Sequence, residues 1–183
     1  PATGTGTGTS GGIVSNTPAP VSATQPNQLS IEVRGNTNPA VPVQYVNAAF
    51  VSVTVCQKGN ASNCQTIPNV ILDTGSMGLR IFASAFNPSM RGILAADRQT
   101  TAAGKFLNQC MQFGSGNTWG AVSRADVKLG QLLAPDVGIQ TISDGSNAVV
   151  SACSNSGNML DTVSALGANG ILGVGNEKQD CGA

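Results

Sequence analysis

Residues 70–82 read VILDTGSMGLRIF and form the most informative local pattern in the chain. An apolar run ends at Asp73, three small residues follow at 74–76, and a second apolar run then begins. The pattern predicts a buried strand, a tight turn that carries the carboxylate, and another buried strand. Taken alone, the tetrapeptide favours the simplest interpretation, an aspartate whose side chain closes a turn at the end of a strand.

Composition excludes several classes of function. The 183 residues carry nine basic and nine acidic side chains, so the formal net charge is zero and only 10% of residues are charged. No basic patch with interleaved aromatic residues is present, which argues against nucleic acid as a partner. No apolar run approaches the roughly 20 residues of a membrane-spanning helix, so no transmembrane segment is predicted. Because the chain begins at Pro1, we expect any targeting segment to have been removed.

The chain contains no histidine. Ser-His-Asp and Cys-His catalysis both need an imidazole and are therefore excluded within this chain. Without histidine, and without paired C-x-x-C spacings, neither a metal site nor a cofactor is expected. If the chain catalyses hydrolysis, the catalytic groups are therefore expected to be the carboxylates of Asp or Glu.

The five cysteines are Cys56, Cys64, Cys110, Cys153 and Cys181. The first two flank a turn-rich segment between β-like runs, where a disulfide would staple a hairpin. Cys110 and Cys153 are then the remaining internal pair. Cys181 is left over, so we expect its partner to come from a continuation of the natural polypeptide. This usage favours an oxidising compartment and a secreted, periplasmic or cell-surface location; free buried thiols in a cytosolic protein are the alternative.

The sequence divides into a low-complexity N-terminal segment and a longer region with β-like patterns. Residues 1–27 are rich in Gly, Thr and Pro and predict a flexible tether, with a borrowed strand at 12–14 as the alternative. Residues 28–183 predict a single, predominantly β domain, because β-like runs recur about every 8–12 residues between turns. The predicted strands are 29–33, 41–46, 49–55, 64–67, 69–72, 106–113, 118–129, 137–142, 148–153 and 170–175, with a short helix or loop within 84–94.

Three segments occur in an informative order. They are DTGS at 73–76, FGSGNTWG at 113–120 with a returning strand to residue 130, and NGILGVG at 169–175. Together they resemble the N-terminal lobe of a pepsin-like aspartic peptidase, with its active-site loop, its flap hairpin and the strand that threads beside the catalytic loop. The similarity spans about residues 50–175. The cysteine pair and the tether also resemble an uncharacterised bacterial family of secreted pepsin-like proteins.

The resemblance implies an all-β fold, a single pepsin-like β-barrel lobe of a two-lobe protein. In that family two carboxylates, one from each lobe, share a proton and activate water. Asp73 would supply one carboxylate and Thr74 would hydrogen-bond towards the opposite lobe. The N–H of Gly75 would approach the carboxylate, and the Ser76 hydroxyl would support its outer oxygen.

The resemblance also assigns residues to the flap and cleft. They are Phe113, Gly114, Ser115, Gly116, Trp119, Met77 and Arg80. For Trp119, the only tryptophan, and for Met77, the residues themselves favour core packing over a role in substrate recognition.

The chain departs from the family pattern at several positions. Phe113 stands where the flap tyrosine is usual, and Arg80 where the family has a tryptophan that bonds that tyrosine. Asn169 replaces an aspartate. No second Asp-Thr/Ser-Gly is present, since Asp161 is not followed by the glycine and Asp144 lacks a preceding apolar strand.

The predicted function is half of an aspartic-type endopeptidase site with a polypeptide substrate. A C-terminal lobe or a second subunit, linked through Cys181 or not, would complete it. The alternatives are an inactive pepsin-fold module that binds peptides or proteins, and a structural or cell-surface module. An isolated lobe would expose apolar surface, so we expect it to dimerise, aggregate or remain bound to its other half.

Overall fold

Eight strands dominate residues 25–36 and 45–176, the part of the chain that the computed structural model describes. They are β1 (Glu32–Asn36), β2 (Tyr45–Gln57), β3 (Asn60–Asp73), β4 (Met77–Phe82), β5 (Asn108–Phe113), β6 (Gly116–Leu129), β7 (Leu132–Ile142) and β8 (Gly170–Val174). Helical segments are a 3-10 turn (Ala83–Ala85), α1 (Pro88–Ala96), α2 (Ser151–Ser154) and α3 (Val163–Leu166). The predicted all-β class is confirmed. The predicted tether lies outside the described residues, except for 25–27.

Most predicted strands are present, with shifted ends. The runs at 64–67 and 69–72 belong to one continuous strand, β3. The segment 84–94, for which the sequence predicts a short helix or a loop, contains most of α1. Residues 41–44 of another predicted strand lie outside the described residues.

The strand predicted at 148–153 is wrong. Residues 148–150 are exposed and irregular, and α2 follows them. The carbonyl of Val150 accepts hydrogen bonds from the N–H groups of Cys153 and Ser154. This local turn satisfies the backbone without a neighbouring strand, and it buries Cys153.

Six strands close into a ring. β2 pairs with β3 on one side and with β6 on the other, and the order around the ring is β2-β3-β8-β4-β7-β6. β1 and β5 extend it at β2 and β6. Two pairings, β3 with β8 and β4 with β7, are parallel. Since β8 lies between β3 and β4, the two strands joined by the Asp73 turn are not paired with each other.

Two apolar clusters form the core. The larger one contains buried side chains from all six ring strands, among them Val53, Ile67, Ile81 and Ile139. Helix α1 covers this cluster with Met90 and Leu94. It begins at Asn87, whose side chain accepts from the Met90 N–H at 2.8 Å, and Pro88 occupies the first turn, where its missing N–H costs no hydrogen bond.

The smaller cluster lies between β4, β7, β8 and α3. It includes Phe82, Ile142, Leu166 and Ile171, and Phe113 at the end of β5 packs against it. The apolar core therefore extends to the tip of the β5–β6 hairpin.

Two disulfides cross-link the chain. Cys56 and Cys64 are opposite each other on β2 and β3, and Cys110 of β5 is bonded to Cys153 of α2. Both predicted pairings are confirmed, whereas Cys181 lies outside the described residues. Among the helices of the described ranges, none is long and apolar enough to cross a membrane.

A cluster of three charged side chains stabilises the β6–β7 hairpin. The Arg124 guanidinium donates to Asp136 Oδ1 at 2.7 Å, and Lys58 Nζ lies 3.0 Å from the same oxygen. The hydrogen bonds from Arg124 and from Lys58 lower the pKa of Asp136 to about 2. Because the folded-state pKa is below the ordinary value, this contribution to stability is full above about pH 4 and is lost as the pH falls towards 2.

We expect Asp136→Asn to reduce the dependence of the free energy of unfolding on pH between pH 4 and pH 2. The variant should be less stable than the wild type at pH 7, and the difference should shrink as the pH falls from 4 to 2. Urea unfolding at pH 7, 4 and 2 measures this. Asp161→Asn, at an exposed aspartate without an ion pair among the described residues, is the matched control and should follow the wild-type profile. A difference that stayed constant down to pH 2 would contradict the assignment.

Candidate active site

The Asp73 turn connects β3 and β4, which pair with β8 on its two sides. Asp73, the last residue of β3, lies opposite Gly173 in the parallel β3–β8 pairing. On the other side of β8, Gly78 of β4 is also opposite Gly173. The same glycine therefore supports the strand that enters the turn and the strand that leaves it.

Close backbone contact at this point requires glycine. A Cβ at Gly173 would lie 2.4 Å from Met77 N and 2.5 Å from the Ser76 carbonyl carbon. Two residues further along, the Gly175 N–H donates to the Ser76 carbonyl at 2.8 Å. β8 thus lies directly against the turn, as the 169–175 segment predicts.

The carboxylate itself is half-buried and held by its own turn. Asp73 Oδ1 accepts from the Gly75 N–H at 2.9 Å, and within the described residues Oδ2 accepts no hydrogen bond. Thr74 and Gly75 are exposed. Ser76 is 5% exposed, and its hydroxyl has no hydrogen-bond partner in the described ranges, the Asp73 carboxylate included. The turn therefore leaves Oδ2 of Asp73 and the buried Ser76 hydroxyl without hydrogen-bond partners among the described residues.

Arg80 connects this turn to the hairpin tip. It lies on β4, is 2% exposed, and donates through Nη1 to the Met77 carbonyl. Its Cζ is 5.7 Å from the centre of the Phe113 ring, within reach of a cation–π contact. The structure thus brings together Arg80 and Phe113, two of the positions at which the sequence differs from the family that it resembles.

The β5–β6 hairpin has a short, exposed tip. Phe113 and Gly116 are paired, and Gly114 and Ser115 turn between them and are exposed. The predicted flap segment is therefore a hairpin whose last ring, Phe113, faces the second core cluster and Arg80.

This hairpin is anchored next to its turn, a feature that sequence reasoning missed. Asn117 is 1% exposed, and its side-chain amide donates to the Cys153 carbonyl at 2.8 Å and to Ser156 Oγ at 2.9 Å. Its backbone N–H donates to the Asn158 carbonyl, and its own carbonyl accepts from Leu160. With the Cys110–Cys153 disulfide, these bonds fasten the hairpin to residues 153–160. The cysteine pair was the only sequence signal for the contact.

The side chains of Trp119 and Met77 are both partly exposed. Trp119 is half-buried, lies in neither apolar cluster, and donates from its indole N–H to the Asn147 carbonyl at 3.3 Å. Met77 is half-buried at the point where the turn meets a cleft.

That cleft measures about 380 Å³ and follows β4 and β7 to the start of β5. Arg80 and Gln140 form part of its polar wall. Gln140 is itself fixed, because it accepts from Thr118 Oγ1 at 3.0 Å and donates to the Gln109 carbonyl at 2.7 Å. A mostly apolar groove, with Arg80 and a fixed Gln140 in its wall, therefore adjoins the carboxylate turn at Met77.

Residues 23–183 match a known protein family. The chain belongs to DUF3443, described as a protein of unknown function. The match contains the Asp73 turn, the hairpin and β8, so the whole candidate site lies in the family's shared region. A comparison with curated protein sequences finds no match.

The other two aspartate motifs of the DUF3443 chain have structural roles. Asp144 forms an ion pair with Arg98 at 2.6 Å and also accepts from Ser146 Oγ. Asp161 precedes Thr162, whose hydroxyl accepts from the Ala165 N–H and begins α3. The expectation that no apolar strand precedes Asp144 is wrong, since β7 ends at Ile142, but the Asp144 carboxylate is engaged by Arg98.

Gly173→Ala should disrupt the support of the turn. The added methyl would overlap the Ser76–Met77 backbone, so we expect a loss of about 1–3 kcal/mol in the free energy of unfolding. Urea unfolding measures it. Gly92→Ala is the control, because a Cβ there meets nothing within 4 Å and α1 should gain roughly 0.5–1 kcal/mol. Equal effects of the two changes would contradict this account.

Asn117→Ala should loosen the hairpin. Loss of the amide leaves the buried Cys153 carbonyl and Ser156 hydroxyl with fewer partners, at a cost of about 1–3 kcal/mol. Hydrogen exchange should become faster at residues 113–119. Asn155→Ala, at an exposed position in the neighbouring segment, should change the unfolding free energy by less than about 0.5 kcal/mol. Unchanged exchange at the hairpin would show that Asn117 does not anchor it.

Proposed function

We propose that this domain is one lobe of a pepsin-like aspartic peptidase, and that Asp73 supplies one of its two carboxylates. The supporting observation is the position of β8 between the two strands that flank the Asp73 turn. The β5–β6 hairpin adds to it, since its tip residue Phe113 contacts Arg80 on the strand that leaves the same turn. The six-strand ring suits a rigid scaffold for such a site.

The chemistry follows from two carboxylates held side by side. Two carboxyl groups at that distance do not both ionise, because their negative charges would repel each other. The pair therefore shares one proton, as in aspartic proteases. The ionised group takes a proton from water while the other donates to the substrate carbonyl; water oxygen adds to the carbonyl carbon, and the C–N bond then breaks as the amine is protonated. In this lobe the Gly75 N–H holds Oδ1 of Asp73 and leaves Oδ2 for water.

The second carboxylate has to come from outside the 183 residues, because their sequence contains a single Asp-Thr-Gly. We propose that it belongs to a second lobe or to a second copy of the chain. The substrate would be an extended polypeptide, held between the two halves and bordered by the hairpin. The two disulfides support a secreted or periplasmic location, since such bonds persist in oxidising compartments.

A second candidate is a pepsin-fold module that binds peptides without cleaving them. It is favoured by the Arg80–Phe113 contact, in which the ring has no hydroxyl and its neighbour is an arginine. The contact can hold the hairpin, but it provides no hydroxyl hydrogen bond near the site.

The deciding experiment is cleavage of a denatured protein at pH 2–6 by the full-length gene product. We expect Asp73→Asn to reduce cleavage by about 10²–10⁴-fold or more, because it removes the acid–base group. A pepstatin-type inhibitor should also block cleavage. Asp161→Asn is the matched control and should retain activity.

Assays of the 183-residue chain at increasing concentration identify the source of the second carboxylate. A site made from two copies predicts activity per chain that rises with concentration, whereas a two-lobe protein predicts none from this chain alone. Undiminished cleavage by Asp73→Asn would overturn the proposed catalytic role. Peptide binding without cleavage by the full-length protein would establish the binding module instead.

A further inference from the structure

A cavity of about 330 Å³ lies between α1 and the strands β6 and β7, lined by different residues from those of the Asp73 turn. One wall is apolar and consists of Ala83, Leu94 and Ala95. The lining also carries polar side chains, Arg91 on the same helix and Arg98, Ser123, Thr141 and Asp144 beyond it. This volume is within the range of roughly 300–1,000 Å³ that small-molecule sites occupy.

A buried hydroxyl in this cavity lacks a partner. Thr141 on β7 is 5% exposed, and its Oγ1 makes no hydrogen bond with any described residue. Buried polar groups in native proteins are nearly always hydrogen-bonded. By contrast, the neighbouring Ser123 hydroxyl donates to the Leu94 carbonyl at 2.8 Å. Thr141, a residue of the cavity wall, therefore has a hydroxyl donor without an acceptor among the described residues.

The charge of the cavity favours an anion. Arg98 and Asp144 neutralise each other through the 2.6 Å ion pair, and Arg98 also lies over the Phe106 ring, 5.3 Å from Cζ to the ring centre. Arg91 on α1 forms no ion pair with a described residue and is exposed at the cavity mouth. One positive charge is therefore uncompensated.

We propose that this cavity binds a carboxylate that carries a short apolar chain. The Arg91 guanidinium matches the two oxygens of a carboxylate with its planar set of donors. Thr141 Oγ1 donates a further hydrogen bond, and the apolar wall of Ala83, Leu94 and Ala95 covers the chain. A free branched acid and the C-terminal carboxylate of a peptide share this chemistry.

The test is an NMR titration of the 183-residue chain. The probes are 4-methylpentanoate, its neutral analogue 4-methylpentanamide, acetyl-Ala-Leu with a free or an amidated C-terminus, and inorganic phosphate. We expect saturable amide shifts at cavity residues such as Gly92 and Ala95 with a carboxylate probe, and at least about tenfold weaker binding of the matching amide. The tighter of the two carboxylates identifies the source of the ligand.

Three variants test the assigned contacts. Arg91→Gln should weaken carboxylate binding by about tenfold or more, and Thr141→Val should weaken it to a smaller extent. Lys58→Gln removes one positive charge outside the cavity and should bind as the wild type does. Because Arg91 is exposed, its substitution is expected to preserve the fold, which the undisturbed spectrum of residues outside the cavity would verify.

Several results would overturn the proposal. They are the absence of saturable shifts with either carboxylate, equal binding of acid and amide, binding of phosphate in preference to both carboxylates, or wild-type affinity in Arg91→Gln. None of them bears on cleavage at Asp73, since the cavity and the Asp73 turn have no lining residue in common.

Discussion

The insertion of β8 between β3 and β4 is the constraint on which the rest of the structure depends. Without it, the strands on either side of the Asp73 turn would pair as a simple hairpin. With β8 inserted, β3 pairs with β8 in parallel and β4 pairs with β8 antiparallel. The turn has to span the width of an additional strand, and that leaves its carboxylate above the end of β8. Only glycine at 173 permits the approach, because any Cβ would overlap the turn backbone.

The hairpin beside the turn is held more firmly than an isolated two-stranded ribbon, which is only marginally stable in water. Its middle is fastened by the Cys110–Cys153 disulfide, and the buried amide of Asn117 fastens it one residue pair from the turn. Its tip is fastened by Phe113, which packs against the second apolar cluster and faces Arg80. Motion in this hairpin is therefore expected mainly at the exposed residues Gly114 and Ser115. For a peptidase, this arrangement would restrict closure over a substrate to a small segment.

Sequence reasoning succeeded where a short segment carries its own signal. Alternation and β-branched residues located β2, β6 and β7, and the turn-rich loop between Cys56 and Cys64 indicated a cross-strand disulfide. It failed at 148–153, since an apolar run is compatible with either a strand or a helical turn, and the disulfide to β5 decides between them. The Asn117 anchor had no local signal, because its partners lie 36 and 39 residues further along the chain.

By itself, the sequence determined the all-β class, both internal disulfides and the turn that displays Asp73, because each depends on neighbouring residues or on the few cysteines available. Only the tertiary structure decided that β8 separates β3 from β4, that Arg80 is buried against Phe113, and that Arg91 and Thr141 border one cavity. The members of each contact are far apart in the chain, and the pairing of the strands, with α1 packed against them, brings them together. Long-range backbone pairing, which no local pattern specifies, is the physical reason for the difference.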